Sequence, residues 1–306
     1  MKFGTYMFEA KKVPGFDFDL FRVKPEVGRR MPPKADMYSN VAIFGDNVAA
    51  RLHPDWISQS ELGPAWRTND NYNVRWEVLC ATQPEHRAEQ LDYIEDTARK
   101  SQGVWLNSIH FAEHGHCICP RCKELHAKSG LSWYEWRRKE VTDYMAATSD
   151  RVINKAKKPL YIGIQPDPVT NYERFGVNFD DMLPLTTEMF VVMFSKNYAT
   201  PWYWEMLTRN FKKLFKNVKL NIALYVIGPG DDPRETPTPS ELLTVSVRMA
   251  RAGADGLLYL TDKAYQMQEF QKKAIAEKDT RERLKSYGGK AGQEVLDLVT
   301  SWEKLF

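Results

Sequence analysis

Residues 85–111 read EHRAEQLDYIEDTARKSQGVWLNSIHF, and this stretch contains the repeating unit of the chain. Residues 85–100 place apolar side chains at helical spacing, and residues 103–111 form a short apolar run that begins at Gly103. A helix followed closely by a strand is typical of α/β folds, in which right-handed helical crossovers join parallel strands.

The same alternation continues in both directions from this stretch. β-rich apolar runs predict eight strands, at residues 2–8, 40–44, 73–80, 103–111, 160–164, 190–194, 219–227 and 256–260. Helical periodicity fills the gaps at residues 85–100, 132–155, 202–215, 240–252 and 279–305, and two Pro-rich stretches, 11–34 and 231–239, are interpreted as long loops after strands. Eight strands close a barrel, so we expect a single (β/α)8 TIM-barrel domain over residues 1–306. An open doubly wound sheet is the alternative, although no Gly-x-Gly-x-x-Gly follows the first strand.

Composition excludes several classes of function. With 43% hydrophobic residues the chain of 306 residues can bury a large core, which argues against disorder. The net charge of +3 gives no strong attraction to nucleic acid or anionic lipid. No apolar run approaches the roughly 20 residues that span a membrane, and the N-terminus shows no secretory signal, so we expect a cytoplasmic protein. The sequence leaves a homo-oligomer open.

The four cysteines form the clearest local motif. Cys117, Cys119 and Cys122 are too crowded for a conventional disulfide framework, and their Cys-x-Cys-x-x-Cys spacing favours a metal site. Tetrahedral zinc takes four S or N ligands, and Cys80, at the end of the third predicted strand, is the best fourth candidate. Three histidines compete with it: His114, His116 and His126. A site made only of cysteines has no open position, so we expect a structural zinc ion.

Polar residues at the carboxyl ends of the predicted strands are the candidate site residues, because barrel enzymes build their sites there. This rule selects Glu9, Asp46, His110, Glu113, Asp167, Lys196 and Asp262. An acidic residue at such a position can also be a helix N-cap or a turn residue, and Asp46 and Asp262 fit that simpler role.

Residues 103–122, GVWLNSIHFAEHGHCICPRC, resemble the fourth strand and following loop of glycoside-hydrolase-like barrels. The pattern of that family is Gly-(Ile/Val)-x-Leu-Asp-x-Ile-Arg-Phe followed by Cys-x-Cys-x-x-Cys. Residues 175–181 and 193–198 resemble the stretches after its fifth strand and along its sixth, so the resemblance covers residues 85–204. Here Asn107 replaces the family's Asp, and His110 replaces its Arg.

The same cysteine arrangement is similar to that of zinc-bearing β-galactosidases, in which an Asn-Glu pair on the fourth strand supplies the acid/base. Counting back from Cys117 aligns Asn107 and Ser108 with that pair, so the acidic residue is missing. A neutral side chain cannot protonate a glycosidic oxygen as a carboxylic acid does.

The resemblance implies an enzyme that hydrolyses a glycosidic bond of a carbohydrate. The candidate catalytic residues are Asp167 and Glu113, with His110 as a substitute acid and Glu9 as a partner. The candidate substrate-binding residues are Asn107, Asp46, Trp105, Tyr198 and Trp202. Two alternatives stay open: a sugar-binding barrel without activity, and a metal-dependent hydrolase that uses His110, His114, His116 and Asp167.

Overall fold

A computed structural model describes residues 1–70 and 76–306. Eight strands form a closed barrel in sequential order, and the pairings between them are parallel where their register is defined. The strands are β1 (Lys2–Met7), β2 (Phe18–Lys24), β3 (Tyr38–Ala42), β4 (Val104–Asn107), β5 (Leu160–Ile164), β6 (Glu188–Met193), β7 (Lys219–Ile227) and β8 (Gly256–Thr261). The structure therefore confirms the predicted (β/α)8 fold class.

The sequence-based interpretation of residues 11–34 as a loop is wrong, because this stretch contains β2. Its charged residues Asp19, Arg22 and Lys24 are buried, and they disguise the strand in the sequence. Buried charges are tolerated when they are paired. Asp19 accepts hydrogen bonds from the Thr5 hydroxyl at 2.6 Å and from the Val13 backbone N–H at 3.2 Å.

The third predicted strand, at residues 73–80, is also not a barrel strand. Residues 73–75 lie outside the described residues. Val78 and Leu79 form isolated antiparallel bridges with Gly45 and Ile57. This apolar run therefore packs within the long connection between β3 and the helix that begins at Pro84. The predicted total of eight strands was right, although one of the predicted strands was not.

All five predicted helices are present, together with others that the sequence did not predict, such as Pro120–Ser129 and Ala264–Ala276. The helices are α1 (Asn47–Leu52), α2 (Pro84–Arg99), α3 (Pro120–Ser129), α4 (Trp133–Ser149), α5 (Asn171–Phe175), α6 (Phe179–Met182), α7 (Pro201–Phe215), α8 (Pro239–Arg251), α9 (Ala264–Ala276), α10 (Lys278–Tyr287) and α11 (Gly289–Glu303). The predicted helix over residues 132–155 is α4 continued by a π-helical turn, Asp150–Lys155. The predicted helix over residues 279–305 is divided between α10 and α11 at Gly288, whose φ of +56° is costly for other residues.

The chain divides into two compact units. The first comprises Met1–Arg22 and Glu188–Phe306, and the second comprises Val23–Thr187. In the first unit, α8 buries one apolar face that includes Leu242, Leu243 and Val245. In the second, Trp136 and Tyr144 of α4 are almost completely buried. The expectation of one domain over residues 1–306 stays a prediction.

The described part of the chain contains no helix that is both long enough and apolar enough to span a bilayer.

Candidate active site and metal centre

The four cysteines come together in the second unit. Their sulfur atoms all lie within 4.8 Å of one another, with Cys80 Sγ 3.4 Å from Cys122 Sγ and 3.8 Å from Cys119 Sγ. Four sulfurs around zinc at about 2.3 Å would be roughly 3.8 Å apart. The cluster can therefore hold a metal ion, and Cys80 lies where the sequence predicted the fourth ligand.

Local structure supports this cluster. Cys122 lies in the first turn of α3, while Cys117 and Cys119 precede that helix. The Gln59 backbone N–H donates to Cys117 Sγ at 3.3 Å, the kind of outer contact that orients a thiolate ligand. Three of the sulfurs belong to buried residues, and Cys119 is half-buried. Across residues 1–70 and 76–306, no second group of His, Cys, Asp or Glu is close enough to hold a metal.

Arg174 links two carboxylates that follow neighbouring strands, β4 and β5. Its Nε lies 2.7 Å from Glu113 Oε1 and one Nη lies 2.5 Å from Glu113 Oε2, which makes a bidentate pair. Its other Nη lies 3.3 Å from Asp167 Oδ2. The side chains of Glu113 and Asp167 keep 33% and 17% of their exposure, so solvent or a ligand can still reach this pair.

Both carboxylates are held in their ionised form. Burial works against ionisation, but the Arg174 hydrogen bond lowers the pKa of Glu113. Burial also opposes ionisation of Asp167, but hydrogen bonds from Thr170 lower its pKa. Charge-assisted hydrogen bonds favour a carboxylate over a carboxylic acid. At neutral pH these groups therefore suit a base, a nucleophile or a stabiliser of positive charge better than a proton donor.

Arg137, a fully buried residue of α4, fixes the backbone around this pair. It donates to the carbonyl oxygens of Glu113 at 3.0 Å, of Glu173 at 2.6 Å and of Arg174 at 2.6 Å. One guanidinium thus satisfies one carbonyl of the loop after β4 and two carbonyls of α5. This contact explains why Glu113 and Arg174 meet although they are distant in the sequence.

His110 lies in the same loop region and is buried. Its Nδ1 lies 2.6 Å from the Phe111 carbonyl oxygen, so Nδ1 carries the proton and donates it. Burial lowers the pKa of His110, which keeps the ring neutral at pH 7. Nε2 of this tautomer is an acceptor, so the ring suits a weak base rather than the substitute acid that the sequence suggested.

A third carboxylate, Glu26, lies just past the carboxyl end of β2. Asn107 Nδ2 donates a hydrogen bond to its Oε1, and Ser108 Oγ lies 3.4 Å from the same atom. Nearby, Asp46 accepts from the α1 backbone N–H groups of Val48 and Ala49, and its Oδ2 pairs with Lys24 Nζ at 2.9 Å. Asp46 is therefore an N-cap, which was the simpler role considered for it.

In the first unit, the predicted site residues have mostly structural contacts. Glu9 Oε2 accepts from the Ala264 backbone N–H at 2.8 Å, at the start of α9. Tyr198 is buried, and its hydroxyl donates to the Met193 carbonyl oxygen at 2.9 Å. Trp202, at the start of α7, is 61% exposed and could present an open ring face to a sugar.

In the second unit, Trp105 lies in β4 and is 1% exposed. Its ring stacks on Tyr161 with the ring centroids 4.4 Å apart. A ring so enclosed presents no exposed face for a sugar to stack on.

The first unit also contains a carboxylate that the sequence did not suggest. Asp231 follows β7, and its Oδ2 accepts from the Tyr225 hydroxyl and from the Gly228 backbone N–H. Lys196 Nζ lies 3.0 Å from Asp231 Oδ1. Burial opposes ionisation, but the Tyr225 hydrogen bond and the nearby ammonium lower the pKa of Asp231.

Three functional candidates were thus missed: Glu26, Arg174 and Asp231. Glu26 was missed because β2 was interpreted as a loop, and recognising β2 would have selected it by the strand-end rule. Asp231 lies in the predicted loop 231–239, four residues beyond the end of β7 at Ile227. Arg174 gives no signal, because its partners are set by the tertiary fold.

Comparison with known proteins gives a likeness of fold only. No protein-family model matches the chain, and no curated protein matches it. Among solved structures, α-L-fucosidase isoenzyme 2 from Paenibacillus thiaminolyticus is similar with a TM-score of 0.63 and 11% identity, over 95% of this chain and 44% of that chain. A β-galactosidase from the psychrophilic Marinomonas ef1 is similar with a TM-score of 0.53 and 9% identity, over 97% of this chain and 62% of that chain. The chain therefore spans less than two thirds of either one, and what it shares with them is the barrel fold.

Proposed function

We propose that the protein hydrolyses a glycosidic bond, with its site at the carboxyl ends of the barrel strands. The observation that carries this proposal is that β4 and β5 are each followed by a carboxylate held in its ionised form. Glu113 is paired with Arg174, and Asp167 accepts hydrogen bonds from Thr170 and also contacts Arg174. Glycoside hydrolysis passes through a transition state resembling an oxocarbenium ion, which a fixed carboxylate stabilises. The likeness to two glycosidase folds supports the same chemistry by analogy.

Within this proposal, Asp167 and Glu113 act as carboxylates. Either one stabilises or attacks the anomeric carbon as the bond to the leaving oxygen breaks and that oxygen takes up a proton. Water then adds to the anomeric carbon and gives a proton to His110 Nε2. Glu9 remains the proposed partner for proton transfer. Asn107, Asp46 and Trp202 remain proposed contributors to substrate binding, and Trp202 has the ring that is open to a sugar. Trp105 and Tyr198, which were also candidates in the sequence, are enclosed in the fold.

We propose zinc as the metal of the cysteine cluster, in a structural role. Four thiolates suit zinc among the common divalent ions, and a site closed by four sulfurs has no position for substrate. In this proposal the carboxylates carry out the catalysis, and the metal holds the loop after β4 in place.

The test is the release of free sugar from a panel of aryl glycosides and neutral oligosaccharides, followed by chromatography. We expect release from at least one member, unaffected by a chelator for as long as the protein stays folded. No release from any member would reject the hydrolase proposal.

Sugar binding without turnover is the second candidate, favoured by one observation. The fourth strand ends at Asn107 and is followed by Ser108, and neither side chain can donate a proton as a carboxylic acid does. Calorimetric binding of a glycoside that stays intact through the same assay would support this candidate over hydrolysis.

A further inference from the structure

We infer that Glu26 is a substrate-binding carboxylate that accepts hydrogen bonds from hydroxyl groups of a neutral sugar. This inference rests on the proposed function and names its substrate class. Glu26 lies beyond the end of β2, on the side of the barrel where strand-end residues form sites. Nothing in the proposed mechanism uses it.

The backbone and side chain of Glu26 are both fixed. Its carbonyl oxygen accepts from the Asn47 backbone N–H at 2.9 Å, and its carboxylate accepts from Asn107. A Cβ on Gly45 would lie 2.9 Å from Glu26 Cγ and 2.8 Å from the Trp76 indole. Gly45 therefore allows the carboxylate and an indole ring to pack against the same point of the backbone. A carboxylate can accept hydrogen bonds from the hydroxyl groups of a sugar, and a neighbouring indole can stack on its C–H groups. Together they suit a sugar ring, which presents both kinds of group.

Two acceptor atoms of this region have no hydrogen-bond partner among the described residues. They are Asn107 Oδ1 and Glu77 Oε2, and both are buried. A buried acceptor without a donor is unfavourable, so a ligand that supplies donors would bind favourably. Glu77 belongs to the same region because its backbone N–H donates to Asn47 Oδ1 at 2.9 Å.

The chemistry of these groups selects the ligand. Unsatisfied carbonyl and carboxylate oxygens need donors, and each sugar hydroxyl is a donor. An acidic sugar would instead place its carboxylate against Glu26. Two cations of this region have carboxylate partners already, since Lys24 Nζ lies 2.9 Å from Asp46 Oδ2 and Arg67 Nε lies 3.2 Å from Glu77 Oε1. The region therefore favours a neutral sugar over a uronic acid.

The test measures binding of methyl glycosides of galactose, glucose, mannose and fucose, and of methyl glucuronide, by calorimetry. We expect at least one neutral glycoside to bind and the glucuronide not to bind.

The variant Glu26→Gln keeps the size of the side chain but removes its charge, and we expect it to weaken binding about tenfold or more. The matched control is Glu61→Gln, at an exposed turn, which should leave affinity unchanged. Asn107→Ala removes one unsatisfied acceptor and should also weaken binding, which covers the case in which Glu26→Gln does not fold.

Three results would overturn the inference: no neutral glycoside binds, the glucuronide binds best, or folded Glu26→Gln keeps wild-type affinity. Retained affinity in Glu26→Gln together with sugar release from the panel would reject the inference and leave the proposed function standing. If Glu26→Gln loses binding and the wild type releases sugar from no panel substrate, the inference stands and the proposed function is rejected.

Discussion

Two clusters of the second unit, the four cysteines and the Glu113–Arg174–Asp167 group, use their polar atoms in opposite ways. The sulfurs converge on a point between them, and three of the four residues are buried. The carboxylates of the other cluster pair with a guanidinium that is 42% exposed, and they remain partly open. A closed cluster can hold a fold together, whereas a partly open, ionised cluster can meet a substrate. The difference assigns stability to the cysteines and chemistry to the carboxylates.

The largest expected effect is on the closed cluster. Cys119→Ser with Cys122→Ser should remove about one zinc per chain and lower the melting temperature by about 10 °C or more, because metal binding is coupled to folding and each kcal/mol is worth roughly 2–4 °C. Elemental analysis and calorimetry measure both quantities, with Ser129→Ala on the same helix as the control. If the purified wild-type protein contains no metal and its stability is unchanged in chelator, the zinc proposal is wrong.

The next effect is on the open cluster. Asp167→Asn should reduce turnover by about 100-fold while the protein stays folded, as expected when a catalytic carboxylate is neutralised. The control is Asp143→Asn on the exposed surface of α4. Full activity in folded Asp167→Asn would show that this carboxylate has no part in the chemistry.

The ion pairs of Arg174 with Glu113 and Asp167 predict that the stability of the protein depends on pH. Glu113 and Asp167 have a lowered pKa in the folded protein. Their stabilising contribution is therefore complete above the unfolded pKa of about 4 and is lost as the pH falls through the folded values. Arg174→Gln should cost about 1 kcal/mol at pH 7, since these pairs are partly exposed. The difference from wild type should shrink below about pH 4. Urea unfolding at pH 7 and pH 2.5 measures it, and a difference that grows on acidification would contradict this assignment.

The smallest effect is expected at Trp202. Its side chain is 61% exposed, so Trp202→Ala should change stability by less than about 0.5 kcal/mol. If the ring supports a sugar, KM should rise a few-fold while kcat stays constant, because uniform binding is lost. Leu62→Ala, another exposed apolar residue, is the control. An unchanged KM would exclude Trp202 from the site.

The sequence predicted these regions unequally, for physical reasons. The cysteine ligands were predictable because three of them lie within six residues of one another, and Cys80 ends an apolar run. β2 was not predictable from apolar alternation, because Lys24 and Asp19 are buried with polar partners that lie elsewhere in the sequence. The link through Arg174 depends on how the loops after β4 and β5 meet, and Arg137 sets that geometry from a helix.

The central claim, that water cleaves a glycosidic bond in this barrel, is tested most directly by mass spectrometry of the sugar released in ¹⁸O-labelled water. The incubation is kept short, and the exchange of oxygen between free sugar and water is measured separately and subtracted. The remaining label then reports cleavage of the glycosidic bond. The account predicts steady release of sugar with one heavy oxygen at the anomeric carbon. A glycoside that binds by calorimetry but is recovered intact after the same incubation would contradict it.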